Sequence, residues 1–253
     1  MAGAMLRQWV AGGVIDPAKV TVIDPGQPKI PDGVRHVTDL PAGDVPQAVM
    51  LGVKPQLLDA VADNVGDRFQ SVPILFSILA GVDETALARR FGSKSVVRVM
   101  PNLPVGIGKG VVAMFSSDAD AGLRADADAL MAPLGLVEWI DREDLFDAVT
   151  ALSGCGPGFV YRFIDAMAEA GVAIGLPQDQ ALRLATATVE GAATLASNDD
   201  ATPAQLADRV ASPGGSTREG MNVLDKDDAL KSLMRATLEA SRRRNVEMAE
   251  AAR

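Results

Sequence analysis

A doubly wound α/β domain followed by an all-helical domain is the fold this sequence predicts. Short, near-continuous apolar runs recur through the first 140 residues, as the strands of a parallel sheet buried on both faces require. Helical patterns separate those runs, the alternation from which βαβ units are built. Beyond about residue 141 the runs stop and apolar residues recur only at helical spacing. Two domains are therefore expected, residues 1–141 and 142–253.

The first thirteen residues, MAGAMLRQWVAGG, read as a helix. Met5, Leu6, Trp9 and Val10 form its apolar face, and Gly12 and Gly13 end it. Strands follow at 20–23, 48–53, 73–78 and 95–100, with helices at 57–65 and 84–91 between them. Asp83 stands where an N-cap belongs. Two more strands, 111–115 and 136–140, flank an Ala/Asp-rich helix. In the second half, Leu145, Val149 and Leu152 share one helical face, and Val160, Phe163, Ile164 and Met167 another. Leu182, Ala185, Val189 and Ala192 make a third stripe, and Leu230, Met234 and Leu238 a fourth. Alanine is so frequent here that each helix offers little core of its own, and a second copy of the chain is expected to complete the bundle.

Composition excludes several functions. A net charge of −9 opposes a nucleic-acid partner, because phosphate binding needs a basic surface. No apolar run approaches membrane-spanning length, and no signal-peptide pattern is present. Cys155 is the single cysteine and His36 the single histidine, so neither a disulfide nor a Cys/His metal site is available. A cytoplasmic protein without membrane or nucleic-acid partners is expected. His36 falls in a polar, loop-like stretch and receives no role.

Several segments raise the question of a ligand. A doubly wound domain normally opens with a strand and a Gly-rich turn, and an acidic residue some 20 positions later binds the ribose. Asp24 ends the first strand, and counting back from it puts the turn at or before Met1, with Ala2 or Gly3 as its last small position. Without that turn a pyrophosphate would lose its N–H cradle. In LGVKPQ, residues 51–56, Lys54 and Pro55 end a strand where open α/β sheets hold ligands. RVMPNLP, residues 98–104, sets two prolines around Asn102, whose amide suits the carboxamide of a nicotinamide, although a rigid turn reads equally well. GIGKG, residues 106–110, leads into a strand and not a helix, so it is a connection, not a phosphate loop. LSGCGPGF, residues 152–159, breaks what would be one very long helix; with no histidine nearby, Cys155 is not read as a nucleophile. SPGGST, residues 212–217, interrupts two helices with glycines that expose backbone N–H groups and hydroxyls that donate or accept. A small carboxylate fits such a place, helped by the dipole of a helix starting near Thr217.

Together RVMPNLP, EDLFDAVTALSGCGPGFVY and LADRVASPGGSTREGMNVLD resemble the pyrroline-5-carboxylate reductase family, in the right order and over essentially the whole chain. MAGAML also resembles the continuation of the family's Gly-x-Gly-Asn-Met turn. The resemblance implies a Rossmann domain followed by a helical dimerisation domain. It implies reduction of 1-pyrroline-5-carboxylate to L-proline with NADPH or NADH, by a homodimer or a larger assembly of dimers. Carried over by motif, Gly52, Val53, Lys54, Pro55, Ile78, Leu79 and Ala80 would line the cofactor, with Asp24 at the ribose and Asn102 near the nicotinamide. Glu143, Ser212, Gly215, Ser216 and Thr217 would bind substrate: backbone N–H groups of Ser216 and Thr217 on the carboxylate, the Thr217 hydroxyl on the ring nitrogen as the catalytic contact. Cys155, Gly158, Leu103 and Ser216 depart from the family's usual residues.

The chemistry suits the composition, since hydride transfer to an iminium needs neither metal nor nucleophile. Asp24 favours NADH by repelling a 2′-phosphate, and Lys29 would accommodate one, so the choice stays open. Two rivals stand beside this reading. A β-hydroxyacid-type dehydrogenase would want a lysine base on the helical domain, yet residues 141–225 contain no lysine. A dimeric relative that cannot hold cofactor would keep the fold and lack the activity.

Overall fold

A computed structural model describes residues 1–43 and 45–251. Helix α1 (Ala2–Ala11) buries Met5, Leu6 and Trp9, the face its spacing predicts. Strand β1 (Thr21–Ile23) follows and pairs in parallel with β2 (Arg35–Val37). Strand β3 (Ala48–Leu51) opens the main sheet, and helix α2 (Leu58–Val65) leads to β4 (Ile74–Ser77). Helix α3 (Glu84–Phe91) starts as expected on Asp83, whose carboxylate accepts the Ala86 N–H at 2.7 Å. Strand β5 (Ser95–Pro101), β6 (Gly110–Phe115), helix α4 (Ala121–Met131) and β7 (Gly135–Trp139) complete the α/β region.

The main sheet runs in the order β3-β4-β5-β6-β7, and β1-β2 form a sheet of their own. The sequence suggests parallel strands throughout, but β6 lies antiparallel to β5, with Met100 opposite Ala113. The cause is the connection. Asn102 to Lys109 hold only a 3-10 turn, and a parallel partner needs a crossover of a dozen residues or more. His36 is also corrected: it sits inside β2, not in a loop, and its Nε2 lies 2.9 Å from the Asp24 carbonyl oxygen. A three-residue strand with an exposed, polar-looking sequence carries too little periodicity to be seen in advance.

Both faces of β5 are filled. Val97 and Val99 join Met5, Leu6, Trp9, Phe76, Val112 and Met114 in one core. Met100 packs in another with Ala113, Phe115 and Phe146. A third core, around Leu75, Leu87 and Phe91, lies under α2 and α3.

The rest is helical: α5 (Phe146–Val149), α6 (Gly156–Ala173), α7 (Gln178–Asn198), α8 (Pro203–Val210), α9 (Ser216–Asp225) and α10 (Ala229–Ala251). The break expected in LSGCGPGF is present. A wide π-turn spans Thr150–Gly154, closed by the Cys155 N–H on the Thr150 carbonyl at 2.8 Å, and α6 begins just beyond it. Two compact units result: Met1–Pro157 with the C-terminal residues from Ser241, and Gly158–Ala240. The strands end at Trp139, yet residues 143–157 stay with the sheet because Glu143, Phe146 and Ser153 are bonded to or packed on β5 and the residue after it.

Candidate functional site

In the sheet unit, the C-terminal ends of β3 and β4 lie side by side, Leu51 beside Ser77, and Ser77 pairs with Arg98 in the middle of β5, which runs on to Pro101. This is the edge where open α/β sheets hold ligands. Gly52 follows β3 directly, and a Cβ there would stand 2.7 Å from the Cβ of Ala2. Only glycine lets the strand end come so close to the first turn of α1. On another side of that turn, a Cβ on Gly106 would lie 3.7 Å from Ala4. The N-terminus of α1 thus opens at the strand ends, flanked by two glycines. Its first N–H groups have no partner within the helix, and no side chain caps them. Such an end attracts anions.

The expected cofactor residues take distinct positions around this edge. Lys54 is exposed and precedes a 3-10 turn, Pro55–Leu57, whose first residue needs no N–H. Val53, Ile78 and Ala80 are partly exposed. Leu79 is not a lining side chain: it is 3% exposed and packs in the core with Leu51, Leu58 and Val82, so it can meet a ligand only through its backbone. Asp24 ends β1 in the smaller sheet, where its Oδ1 accepts the Gly26 N–H at 2.8 Å. Asn102 is buried, and its amide is engaged on both sides. Oδ1 accepts the Val111 N–H at 2.8 Å, and Nδ2 donates to the Ser153 carbonyl at 3.0 Å. Of the two readings open for this residue, the rigid turn describes its side chain.

Glu143 is likewise held. Its Oε1 accepts from Arg98 at 2.8 Å and from the Glu84 N–H, at the start of α3, at 2.7 Å. Its neighbours on either side neutralise one another. Arg142 donates to Asp144, and the hydrogen bond to that guanidinium holds the Asp144 carboxyl below its usual range on the exposed surface. Glu143 is left to the buried arginine. Sequence reading missed Arg98, although a cation inside the apolar run SVVRVMP was a visible signal.

In the helical unit, residues 212–217 form a compact device. Ser212 accepts the Gly215 N–H at 3.0 Å, with Pro213 second and Gly214 third at φ +71°. That is the pattern of a type II turn, which requires a residue tolerant of positive φ in third place. Gly215 is the N-cap of α9, and a Cβ on it would approach the Ser212 Oγ at 2.8 Å. One expectation changes here. The Gly215 N–H is consumed by the turn, so it is not a free donor; the N–H groups of Ser216, Thr217 and Arg218 are, since no side chain caps α9. Arg218 itself donates to Asp208 and to the Ala211 carbonyl, fastening the start of α9 to the end of α8. This contact was also unforeseen. Cys155 is a free, partly exposed thiol, and no group of three or more His, Cys, Asp or Glu suited to a metal ion occurs among the described residues.

Comparison with known proteins places the chain in a family. The pyrroline-5-carboxylate reductase dimerisation family matches residues 143–248. The pyrroline-5-carboxylate reductase of Synechocystis is 37% identical over 203 residues, covering 80% of this chain and 75% of that protein. That of Methanosarcina acetivorans is 33% identical, covering 96% and 93%. Among solved structures, a pyrroline-5-carboxylate reductase from Coxiella burnetii superimposes with a TM-score of 0.88 at 28% identity, covering 97% of this chain and 94% of that one. The Plasmodium falciparum enzyme with NADP bound gives 0.83 at 25%, covering 97% and 93%.

Proposed function

This chain belongs to the pyrroline-5-carboxylate reductase family, and from that premise we propose that it reduces 1-pyrroline-5-carboxylate to L-proline by hydride transfer from NADPH or NADH, the last step of proline biosynthesis. The observation that carries this reading is the type II turn feeding an uncapped α9: it leaves donors for a carboxylate at the place the family's signature occupies. It works as a homodimer, through the region matched by the dimerisation family. Its partner is a small imino acid and not a nucleic acid, in keeping with the charge of −9. A cytoplasmic location belongs to the same reading.

The chemistry divides into cofactor binding and substrate binding. In the sheet unit, the N-terminus of α1 and Lys54 hold the dinucleotide's phosphates, and Gly52, Val53, Pro55, Ile78, Ala80 and the Leu79 backbone line its path. The glycine approach at Gly52, which any Cβ would block, suits a backbone drawn close to a pyrophosphate. When bound, the reduced nicotinamide supplies the hydride.

In the helical unit, the Ser216 and Thr217 N–H groups hold the substrate carboxylate, and the α9 dipole favours its charge. The Thr217 hydroxyl accepts the N–H of the protonated imine and keeps the C=N bond oriented. As the carbon gains a hydride, the π electrons move onto nitrogen, and solvent provides the proton that completes the ammonium of proline. No side chain needs to become a nucleophile, which matches a chain with one histidine and one cysteine.

The test is oxidation of NADPH and NADH with 1-pyrroline-5-carboxylate; no turnover with either would refute the function. Thr217→Ala should lower kcat roughly tenfold to a hundredfold, the worth of one hydrogen bond to a charged group. Its NADPH dissociation constant should stay within about twofold of wild type, because only substrate contacts are lost. Unchanged kinetics would remove Thr217 from the site.

A further inference from the structure

Strand β5 carries two different faces. Val97 and Val99 point into the main core, while Arg98, Met100 and Asn102 alternate onto the opposite side. Each of these three meets the segment 143–154. Arg98 bonds Glu143 at 2.8 Å and lays its guanidinium 4.3 Å from the centre of the Phe146 ring. Met100 packs with Phe146 and lies 3.9 Å from the Cβ position of Gly154. Asn102 donates to the carbonyl of Ser153, inside the π-turn. The result is a seam that runs from the middle of β5 to the strand-end edge.

Arg98 is an odd residue to find there. It is 6% exposed, in a strand that is otherwise apolar from Val96 onward. If stability alone were served, an apolar side chain of similar volume would do as well or better than a buried ion pair. What a guanidinium adds is geometry. It lies over the Phe146 ring while an N–H fixes the carboxylate of Glu143, and a planar fork holds both contacts in one geometry where a lysine ammonium would be free to rotate. Glu143 passes the constraint on, since the same oxygen receives the first N–H of α3.

We propose that Arg98 is a positioning residue for the reductase reaction: it locks residues 143–154 in register against β5, so that Asn102 and the π-turn Thr150–Gly154 hold the floor of the strand-end site in place. This rests on the reductase reading for its catalytic consequence, but not for its structural one. A displacement of about 1 Å near reacting groups is enough to cost on the order of a hundredfold in rate.

The experiment compares wild type with Arg98→Lys and Arg98→Met. The expected result is a fall in kcat of about tenfold or more, with KM for 1-pyrroline-5-carboxylate and the NADPH dissociation constant within about threefold, the signature of lost transition-state geometry. Amide exchange at Ser153, Gly154 and Cys155 should accelerate about tenfold or more in both variants, as the turn loosens locally. The methionine variant leaves Glu143 without its cation; if it does not fold, the lysine variant decides. A kcat within about twofold of wild type in Arg98→Lys overturns the proposal, as does unchanged exchange at those three amides. If the wild-type protein reduces no 1-pyrroline-5-carboxylate, the reductase reading fails, and the exchange measurement alone then decides the role of Arg98.

Discussion

The sheet unit hides large side chains completely: Phe91, Met5, Leu75 and Leu87 are all less than 2% exposed. Between Gly158 and Ala240 the order is reversed. Among the described residues of that unit nothing larger than alanine is buried, while Phe163 is 50% exposed, Leu195 58% and Leu233 64%. Ala168, Ala181, Ala185 and Ala211 are the residues that close up. The two regions have solved the same problem by different means. One builds cores of large apolar side chains within a single chain. The other brings helices together on alanine and leaves its leucines exposed, and the dimerisation family's match, residues 143–248, spans all of it.

That contrast can be broken from either side. Phe163→Glu should act on association. Burial of one phenylalanine is worth about 1.5–3 kcal/mol, and a two-fold dimer loses it twice, so the dimer dissociation constant should rise by roughly two to four orders of magnitude. Sedimentation at micromolar concentration should then show monomer. Dimer retained at that concentration would mean that this face of α6 is not where the copies meet. Leu87→Ala should act on the fold instead. Leu87 is fully buried in the core under α2 and α3, and the cavity should cost about 2–5 kcal/mol in urea unfolding. Sedimentation should be unchanged. A shift to monomer would show that the two regions do not keep their cores apart.

The same contrast explains what could be read from the sequence. The sheet was legible because β4 and β5 are buried on both faces and announce themselves as apolar runs. The helical stripes were legible as periodicity, but periodicity does not say whether a face meets its own chain or another. β2 was missed because three residues carry no pattern. The antiparallel turn to β6 was missed because strand direction follows from the length of a connection and not from the strands themselves. At the site, SPGGST was legible since proline and glycine encode the turn directly. The engagement of Asn102, Glu143 and Gly215 was not, because each partner lies at a distance along the chain or in a backbone group: Asn102 with Ser153, Glu143 with Arg98, Gly215 with the Ser212 carbonyl.

The smallest effect sharpens the comparison most locally. Helix α8 has no buried residue, so little tertiary packing holds its first turn. A capping box does: the Thr202 hydroxyl accepts the Gln205 N–H at 3.3 Å, and the Gln205 Oε1 accepts the Thr202 N–H at 2.8 Å. Pro203 follows at the first helical position, where the N–H would have no partner within the helix. Thr202→Ala removes the hydroxyl and should cost about 1 kcal/mol. In a well-packed unit that loss would spread through the whole fold. Here it should appear as fraying, with amide exchange at Gln205 and Leu206 about fivefold faster, the equivalent of that energy, and a melting temperature that barely moves. Thr202→Ser should restore both amides, since serine caps as well as threonine. If the alanine variant instead lowers the melting temperature as Leu87→Ala does, the helical unit is tied cooperatively to a core despite its exposed leucines, and the division drawn between the two units fails.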